Sequence, residues 1–476
     1  MQWQEIILNR LNIELQAKTI LIDHIGLLTD PSFTSYLSEK KINFLLVNDV
    51  PSILNALQKT KLVIAPAGLT LPAYLENHTA IMHFDVRKLP IEIEPNLLAN
   101  LSLSQLTALI AFLNETGNLQ LVDEKNYRHL LKDTEIYLIQ KELNLLKAEL
   151  SERSLKIQNH TDILELGRLW GRYVALCTQV DEFPDRELTK TIDQSTESLI
   201  LGGIIRNAFY ESTPTFKTVD KIIPYIKSHK PDKFALVCFD AMGVAEWHLL
   251  KRYLSDSGLY FNEKYIFALI PTITRISRSA IFYGNVEQVY GLKTINEDKA
   301  FEENFSDCTV RSFREGELTH KDQLLGINAV KIIYNVFDDL AHKTILPVNE
   351  NRKNIYFKNV ENYLAKTRIN EELRLLSVQG FKLWFCSDHG SIVAAGNGQR
   401  IDKYLIDASC KRATIIEKTE LAKFYDVNQY EIPFVKDKIV LLAKNRTSFS
   451  NKNKLEITHG GISLEELVVP FVEIIS

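Results

Sequence analysis

Cysteine is scarce in this 476-residue chain, and the spacing of its cysteines excludes the structures that cysteine usually builds. The five cysteines are an odd number without a CxxC pair: Cys177, Cys238, Cys308, Cys386 and Cys410. This spacing argues against a disulfide framework and against a zinc site made of cysteines. Cys238 and Cys386 lie inside apolar runs, where we expect buried thiols.

The sequence also lacks a long apolar run and any excess of positive charge. No stretch reaches the ~18 apolar residues that a membrane helix needs, and the first residues show no basic and then apolar leader. The chain has 56 lysines and arginines against 60 aspartates and glutamates, a formal net charge of -4. We therefore expect a cytoplasmic protein without membrane contact, in which any nucleic acid contact requires a local basic patch.

Composition and length indicate a soluble protein of several domains. Hydrophobic residues make up 45% and charged residues 24% of the chain, as in ordinary proteins with a sizeable core. At about 150 residues per domain, the length indicates two or three domains. The pattern along the chain changes near residues 125 and 230, which predicts segments at 1–125, 126–230 and 231–476.

Residues 1–125 alternate short apolar strands with helical patterns, which is typical of a small α/β domain with a mainly parallel sheet. The predicted strands are Thr19–Ile22, Ile42–Val47, Leu62–Ile64 and Ile81–Phe84. Asp23 and Asp49 follow two of these strands, either as turn residues or as part of a ligand site. We favour turn residues because no partner side chains are evident.

Residues 126–230 predict a helical spacer domain. Ile139, Leu143, Leu146 and Leu150 recur at steps of four, three and four, which places them on one helix face. The pattern lasts only about two heptads, so packing within the chain is favoured over a coiled coil with a partner.

Four continuous apolar runs in residues 231–476 predict central strands that are buried on both faces. They are Phe234–Phe239, Tyr265–Ile270, Ile332–Val336 and Leu383–Cys386. Each run stops at, or shortly before, side chains that could bind a metal, and a further histidine follows a short Lys454–Ile457 strand. These side chains are Asp240, Thr272 or Thr274, Asp338 with His342, Asp388 with His389, and finally His459. Because ligands bind beyond the carboxyl ends of strands in open α/β sheets, we expect one shared crevice.

Taken singly, these signals have simpler explanations, since an aspartate after a strand is usually a turn residue and a D-x3-H pair can lie on a surface. The joint pattern of three carboxylates, three histidines and a hydroxyl suits phosphoryl transfer. Two divalent ions about 4 Å apart stabilise both the attacking and the leaving oxygen at phosphorus. Imidazole and carboxylate ligands favour two zinc ions, with manganese as the next choice.

A threonine hydroxyl must be activated before it can attack phosphorus. A threonine is a poor nucleophile unless a metal lowers the pKa of its hydroxyl. The predicted helix Arg275–Tyr283, closed by Gly284, would offer backbone N–H groups and partial positive charge to a phosphate at its N-terminus.

The sequence resembles the PglZ domain of the alkaline phosphatase superfamily. Such domains occur in BREX-type phage-defence proteins, and the chain could also be a related stand-alone member. The resemblance covers residues 231–476, and its motifs are Phe239-Asp240, Pro271–Arg278, Asp338-x3-His342, Ser387–Gly390 and Thr458–Glu466. It implies an alkaline-phosphatase-like, mainly parallel α/β sheet sandwiched by helices, preceded by the helical spacer and the small N-terminal α/β domain.

The resemblance also implies roles for the candidate residues. One metal would be held by Asp240, Thr274, Asp388 and His389, and the other by Asp338, His342 and His459. Thr274 would be the catalytic nucleophile, preferred to Thr272 because its ten-residue distance to Gly284 matches related nucleotide pyrophosphatases. Asp339 is an alternative to Asp338 as a ligand. Arg275 or Arg278 would bind a phosphate oxygen, with a structural helix role as the alternative for Arg278.

Basic residues suggest the substrate class. Lys444 and Arg446, with Phe449 nearby, precede His459 and could bind a nucleotide or single strand by charge and stacking, or form a solvated loop. A second cluster comprises Arg400, Lys403, Lys411 and Arg412. The leading hypothesis is a zinc-dependent phosphodiesterase, rather than a phosphomonoesterase, that acts on nucleotides or nucleic acid in antiphage defence. The rival is a non-catalytic scaffold that binds a methyltransferase or another defence subunit.

Overall fold

The computed structural model divides into two compact units, residues 1–142 and 143–476. It describes residues 3–11, 17–89, 95–98, 101–116, 124–211, 215–255, 259–292, 294–347, 353–402, 406–433 and 435–475. The boundary between the units falls inside one long helix, within the segment predicted as a helical spacer. The division into three domains stays a prediction.

Unit 1 is a small α/β domain with a parallel sheet, as predicted. Its strands are β1 (Thr19–Asp23), β2 (Phe44–Leu46), β3 (Leu62–Pro66) and β4 (Ala80–Phe84), in the order β2-β3-β1-β4. Its helices are α1 (Trp3–Leu11), α2 (Pro31–Glu39), α3 (Val50–Lys59), α4 (Ala73–His78), α5 (Pro95–Leu98) and α6 (Leu103–Thr116). Leu21 packs into one apolar cluster, while Ile20 and Ile22 pack into another, so the sheet is covered on both faces.

The two aspartates that follow strands in unit 1 shape turns. The Asp23 carboxylate accepts hydrogen bonds from three backbone N–H groups of the following loop. Asp49 accepts from the backbone N–H of Ser52 and so caps α3. Both carboxylates therefore have the local role that was favoured from the sequence.

Unit 2 contains the larger α/β assembly, and the long helix α7 (Glu124–Ser154) leads into it. The following helices are α8 (His160–Gln179), α9 (Arg186–Leu201), α10 (Ile222–His229), α11 (Val244–Leu254), α12 (Thr274–Tyr283), α13 (Val286–Gly291), α14 (Glu297–Asn304), α15 (Val336–Lys343), α16 (Asn354–Leu364), α17 (Ile369–Val378) and α18 (Leu464–Leu467). The strands are β5 (Phe234–Phe239), β6 (Tyr260–Phe267), β7 (Val310–Arg314), β8 (Ala329–Tyr334), β9 (Lys382–Ser387), β10 (Ile392–Gly396), β11 (Ile406–Ser409), β12 (Ala413–Glu417), β13 (Asn428–Glu431), β14 (Lys438–Leu442), β15 (Thr447–Ser448), β16 (Leu455–Thr458) and β17 (Val468–Ile475).

The main sheet of unit 2 has six strands in the order β6-β17-β9-β5-β8-β7. Strands β9, β5, β8 and β7 are parallel, and β17 runs antiparallel to both of its neighbours. The continuous apolar runs of β5, β8 and β9 make them almost fully buried inner strands, as predicted. The mostly parallel sheet with helices around it confirms the predicted fold class.

The prediction for Tyr265–Ile270 was wrong in one respect. The strand there is β6, which ends at Phe267 and forms an edge of the sheet, with exposed and half-buried residues over most of its length. Residues 268–270 are buried but lie beyond the strand, where they lead to α12. The last three residues of this apolar run are therefore apolar because a connecting segment is buried, and the run does not mark a central strand.

Between His389 and His459 the chain leaves the main sheet and forms an insertion. Strands β15, β10 and β16 make a small mixed sheet, and β11, β12, β14 and β13 make an antiparallel one. The second sheet has a core of its own that includes Ile416 and Leu441. In β10 and β16, Ile392 pairs with Thr458, so both ends of the insertion are held together beside the two histidines.

The helices of unit 2 pack within the chain. Leu143, Leu146 and Leu150 of α7 are buried, as expected for residues on one helix face. All five cysteines are free thiols. Across the described part of the chain, no helix is both long and apolar enough to cross a membrane.

Two glycines allow α8 to lie very close to the main α/β assembly. A Cβ atom added at Gly171 would lie 2.4 Å from the Cβ of Val244, at the start of α11. A Cβ atom added at Gly167 would lie 2.5 Å from Cγ2 of Val468, at the start of β17. Both distances are far below van der Waals contact, so any larger residue would force the elements apart.

We expect Gly171→Ala to lower the free energy of unfolding by about 1–3 kcal/mol, because the added methyl group overpacks the contact with Val244. Urea unfolding followed by circular dichroism measures the loss. Gly291→Ala is the matched control, since no atom lies within 4 Å of its added Cβ. Equal stability of the two variants would contradict the close contact.

Candidate active site

The first group of predicted ligands lies at the carboxyl ends of β5 and β9. The last residues of these parallel strands pair in register, so Asp240 and Asp388, which follow them, lie at the same level of the sheet. His389 Nε2 lies 3.7 Å from Asp240 Oδ1 and 3.7 Å from Asp388 Oδ2. The hydroxyl oxygen of Thr274, the first residue of α12, is 2.8 Å from the same nitrogen.

The second group lies beside the first. Asp338 and His342 are one turn apart on α15, with Asp338 Oδ1 3.3 Å from His342 Nε2. His459 Nε2 is 3.7 Å from the same carboxylate oxygen. The rings of His389 and His459 stack with their centroids 4.0 Å apart, so the two groups adjoin. In each group, the potential ligand atoms of one Asp–Asp–His or Asp–His–His set lie within 4.8 Å of one another.

Backbone carbonyls orient the two stacked imidazoles. His389 Nδ1 is 3.1 Å from the carbonyl oxygen of Gly390, and His459 Nδ1 is 2.8 Å from that of Thr272. A carbonyl oxygen only accepts hydrogen bonds, so each Nδ1 carries the proton. Each Nε2 is left facing the carboxylates, and a ligating histidine binds a metal in this way while its other nitrogen donates to a carbonyl.

Burial disfavours the charged forms of the side chains in this cluster. It raises the pKa of Asp388 to about 6, and burial together with the nearby Asp388 carboxylate raises the pKa of Asp240 well above its usual range. Burial, with repulsion from His389, lowers the pKa of His459 well below its usual value. The acids thus resist ionisation, and the imidazole resists protonation.

The residues fit divalent cations. Asp240 Oδ1, Asp338 Oδ1 and Asp388 Oδ2 are buried and have no hydrogen-bond partner among the described residues. Such oxygens are costly without a partner, and all three belong to the ligand groups. Carboxylate oxygen and imidazole nitrogen are the donor set of zinc and manganese sites.

The alternatives to Thr274 and Asp338, which are Thr272 and Asp339, lie in different surroundings from those two residues. Thr272 is fully buried, and its hydroxyl bonds one backbone carbonyl and one backbone N–H of the loop after His459. Asp339 pairs with Lys343 at the surface, whereas Asp338 lies beside both histidines of its group. These positions favour structural or surface roles for Thr272 and Asp339.

Helix α12 begins at Thr274, and no side chain caps its N-terminal N–H groups by a hydrogen bond. Arg278, one turn further on, donates to Asp240 Oδ2 at 2.6 Å and to Glu297 at 3.2 Å. Arg275 is exposed and donates to a backbone carbonyl. Arg278 thus neutralises part of the acidic cluster, and substrate binding by either arginine stays a prediction.

The two other predicted substrate-binding residues make ion pairs outside the ligand groups. Lys444 pairs with Asp426. Arg446 donates to Asp193 at 2.7 Å and to Glu465 at 2.8 Å, where it lines a cavity of about 460 Å³. Their role in binding substrate stays a prediction, and the ion pairs do not support it.

A buried ion pair that the sequence did not reveal supports the loop after His459. Arg412, from the second predicted basic cluster, is buried and donates to Glu466 at 2.8 Å and to two backbone carbonyls before β16. Glu466 also accepts the N–H of Gly461 and, with Ser463, forms a capping box on α18. The S-x-x-E pattern was the available signal for Glu466, but nothing local marks Arg412 as its partner. In the same cluster, Lys411 pairs with Glu456, and Lys403 lies outside the described residues.

A mostly parallel sheet with two adjoining Asp and His groups at its strand ends defines an α/β domain of the alkaline-phosphatase-like class. Residues 328–474 match the family described as "BREX system PglZ alkaline phosphatase-like domain". Over these residues, the match confirms the resemblance seen in the motifs. The match covers less than a third of the 476 residues and begins after Asp240 and Thr274.

Solved structures show only distant similarity. Human ectonucleotide pyrophosphatase/phosphodiesterase 5 is 14% identical with a TM-score of 0.35, covering 50% of this chain and 87% of its own. The inactive murine protein in complex with AMP is 14% identical with a TM-score of 0.35, over 51% and 87%. Phosphonoacetate hydrolase from Sinorhizobium meliloti, in complex with phosphonoformate, is 12% identical with a TM-score of 0.30, over 51% and 90%. No curated protein matches the sequence significantly.

We expect Arg412→Met to lower the free energy of unfolding by about 3–5 kcal/mol, because it leaves the Glu466 carboxylate buried without its counter-ion. Chemical denaturation measures the change. Lys418→Met breaks the exposed pair with Glu431 and should cost at most about 1 kcal/mol. Similar losses in the two variants would show that the buried pair has no special structural role.

Proposed function

We propose that this protein is a metal-dependent phosphodiesterase with Thr274 as its nucleophile. The observation that carries the proposal is the position of the Thr274 hydroxyl, at an uncapped helix N-terminus and 2.8 Å from a histidine of one ligand group. A phosphoryl group needs a nucleophile, positive potential and cations at one place, and this arrangement provides a position for each.

Two divalent cations, zinc or manganese, would be held by the two ligand groups. Asp240, Asp388, His389 and Thr274 would hold one, and Asp338, His342 and His459 the other. When bound, such ions lower the pKa of a coordinated hydroxyl and offset the charge of phosphoryl oxygens. The three buried oxygens without hydrogen-bond partners support this assignment.

The protein's own residues would carry the reaction in two displacements. Thr274 Oγ loses its proton to solvent and attacks the phosphorus, and the bond from phosphorus to the leaving oxygen breaks as that oxygen takes up a proton to become the alcohol. The first turn of α12 holds the phosphoryl oxygens in line through its backbone N–H groups. Water then attacks the phosphorus of the covalent threonine phosphodiester and displaces Thr274 Oγ, which regains its proton, so the retained ester leaves as a phosphate monoester.

The preferred substrates would be phosphodiesters in nucleotides or nucleic acid, and the setting would be antiphage defence, with a methyltransferase or another defence subunit as a possible partner. The PglZ domain described from BREX systems supports that setting. A purely non-catalytic scaffold is less favoured because a scaffold needs no buried ligand groups. An activity assay distinguishes the phosphodiesterase from the non-catalytic scaffold.

We expect Thr274→Ala to reduce hydrolysis of bis(p-nitrophenyl) phosphate at least ~10³-fold, because the variant has no nucleophile. Initial rates with zinc or manganese measure this, and Thr274→Ser should retain measurable turnover. Thr367→Ala, at the end of α16, is a control that should match the wild type. Equal background rates in the wild type and Thr274→Ala would leave only the scaffold hypothesis. Faster hydrolysis of p-nitrophenyl phosphate than of the diester would overturn the preference for diesters.

Metal content tests the two ligand groups separately. We expect about two transition-metal ions per chain after zinc loading and desalting, measured by elemental analysis. Asp388→Ala and His459→Ala should each lose about one ion, and chelation should abolish activity until metal is restored. Less than one ion per chain in the wild type would contradict a two-metal site.

A further inference from the structure

Five exposed lysines surround a cleft of about 590 Å³ in unit 1. They are Lys18, Lys40, Lys41, Lys59 and Lys61. Among the described residues, no acidic side chain lines the cleft, and none of the five lysines forms an ion pair with a carboxylate. We call this surface the lysine cleft.

The topology of the sheet places these lysines at the end of the sheet where the parallel strands begin. Lys18 and Lys61 directly precede the parallel strands β1 and β3. Lys40 and Lys41 follow α2, and Lys59 ends α3, the helices that return the chain to the same edge. In a parallel sheet all strands begin at one edge, so residues far apart in sequence meet there.

The opposite edge of the sheet carries acidic residues. Asp23 ends β1, Asp49 follows β2, and Asp85 follows β4. The first two accept backbone N–H groups in turns, and Asp85 does the same for Arg87. The lysine cleft is therefore a local concentration of positive charge, although the whole chain has a net charge of -4. A surface with one sign of charge in a concave site raises the local concentration of anions.

Stabilisation of helix ends accounts for only part of this pattern. Lys40 and Lys59 lie at helix C-termini, where cations interact favourably with the helix dipole. Lys18 and Lys61 lie at strand starts and gain nothing from a helix. Lys41 has a φ of 57°, a left-handed conformation that glycine or asparagine adopts at lower cost.

We propose that the lysine cleft binds the phosphate backbone of a nucleic acid. Ammonium groups on flexible stems contact phosphates as point charges and without sequence preference. The amide side chains of Asn43 and Gln58, which also line the cleft, add hydrogen-bond donors. An anionic membrane is the less favoured partner, because the lining leucines Leu57 and Leu62 are buried and cannot insert into lipid.

The inference concerns unit 1 and requires no catalysis by unit 2. Binding can be measured in EDTA, where a metal-dependent hydrolase is inactive. A failure of nucleic acid binding would therefore leave the proposed phosphodiesterase intact, and a failure of catalysis would leave the lysine cleft intact.

The test uses the full chain and a fluorescein-labelled oligothymidine, with affinity measured by fluorescence anisotropy at several NaCl concentrations in EDTA. For single strands, the slope of log K against log salt is about -0.7 for each phosphate neutralised. We expect Lys40→Ala/Lys41→Ala/Lys61→Ala to make the slope shallower by about 2 and to weaken binding at low salt at least tenfold.

Lys321→Ala/Lys366→Ala/Arg374→Ala removes the same charge from exposed positions of unit 2 and is the matched control. Circular dichroism should show that both triple variants are folded. Unchanged slope and affinity in the cleft variant, or the same loss in the control, would overturn the proposal. So would binding of the wild type to phosphatidylserine vesicles but not to the oligonucleotide, which would assign the cleft to a membrane.

Discussion

The carboxyl groups of Asp240, Asp338 and Asp388, beside the imidazoles of His389 and His459, set the main constraint on unit 2, because carboxyl oxygens in an apolar interior require positive charge or hydrogen bonds nearby. Arg278 supplies one cation to Asp240, and backbone N–H groups of Ala241 and His389 donate to one oxygen of Asp388. Asp240 Oδ1, Asp338 Oδ1 and Asp388 Oδ2 are buried without a hydrogen-bond partner among the described residues. The strand ends, the two imidazole rings and the N-terminus of α12 all lie around these oxygens. The oxygens without partners therefore constrain the fold and also determine the chemistry of the site.

The turns that present the ligands are held by close backbone packing. A Cβ atom added at Gly390 would lie 1.9 Å from the carbonyl oxygen of Glu465, and one added at Gly243 would lie 3.1 Å from it. The Ser277 hydroxyl donates to the carbonyl of Asp388 at 2.6 Å. The loops after Asp240, His389 and His459 are thus fixed against one another and against α12. Binding of cations to preorganised ligands costs little rearrangement, which suits the two displacements proposed for this site.

Local patterns predicted the parts of this structure that depend on neighbours in sequence. Continuous apolar runs gave the inner strands β5, β8 and β9, and the side chains just after strands were brought together because parallel strands end at one edge. The β6 strand was misplaced because burial of a connecting segment looks the same in sequence as burial of a central strand. The partners of Arg446 and Arg412 could not be predicted, since Asp193 is 253 residues away and Glu466 is 54 residues away. The presence of a basic residue near a motif in the sequence therefore says less about ligand binding than the side chains that surround that residue in the fold.

The insertion between His389 and His459 leaves the main sheet and returns to it at nearly the same point. Because Ile392 pairs with Thr458, the two ends of the insertion are joined immediately beside the histidines, and its outer sheet has a core of its own. The outer part of the insertion can then change in length and sequence during evolution without moving either imidazole, as long as Arg412 keeps its contact with Glu466. Relatives could diverge in what they recognise while the reaction centre stays constant, and the same junction offers a place where a foreign module could be grafted.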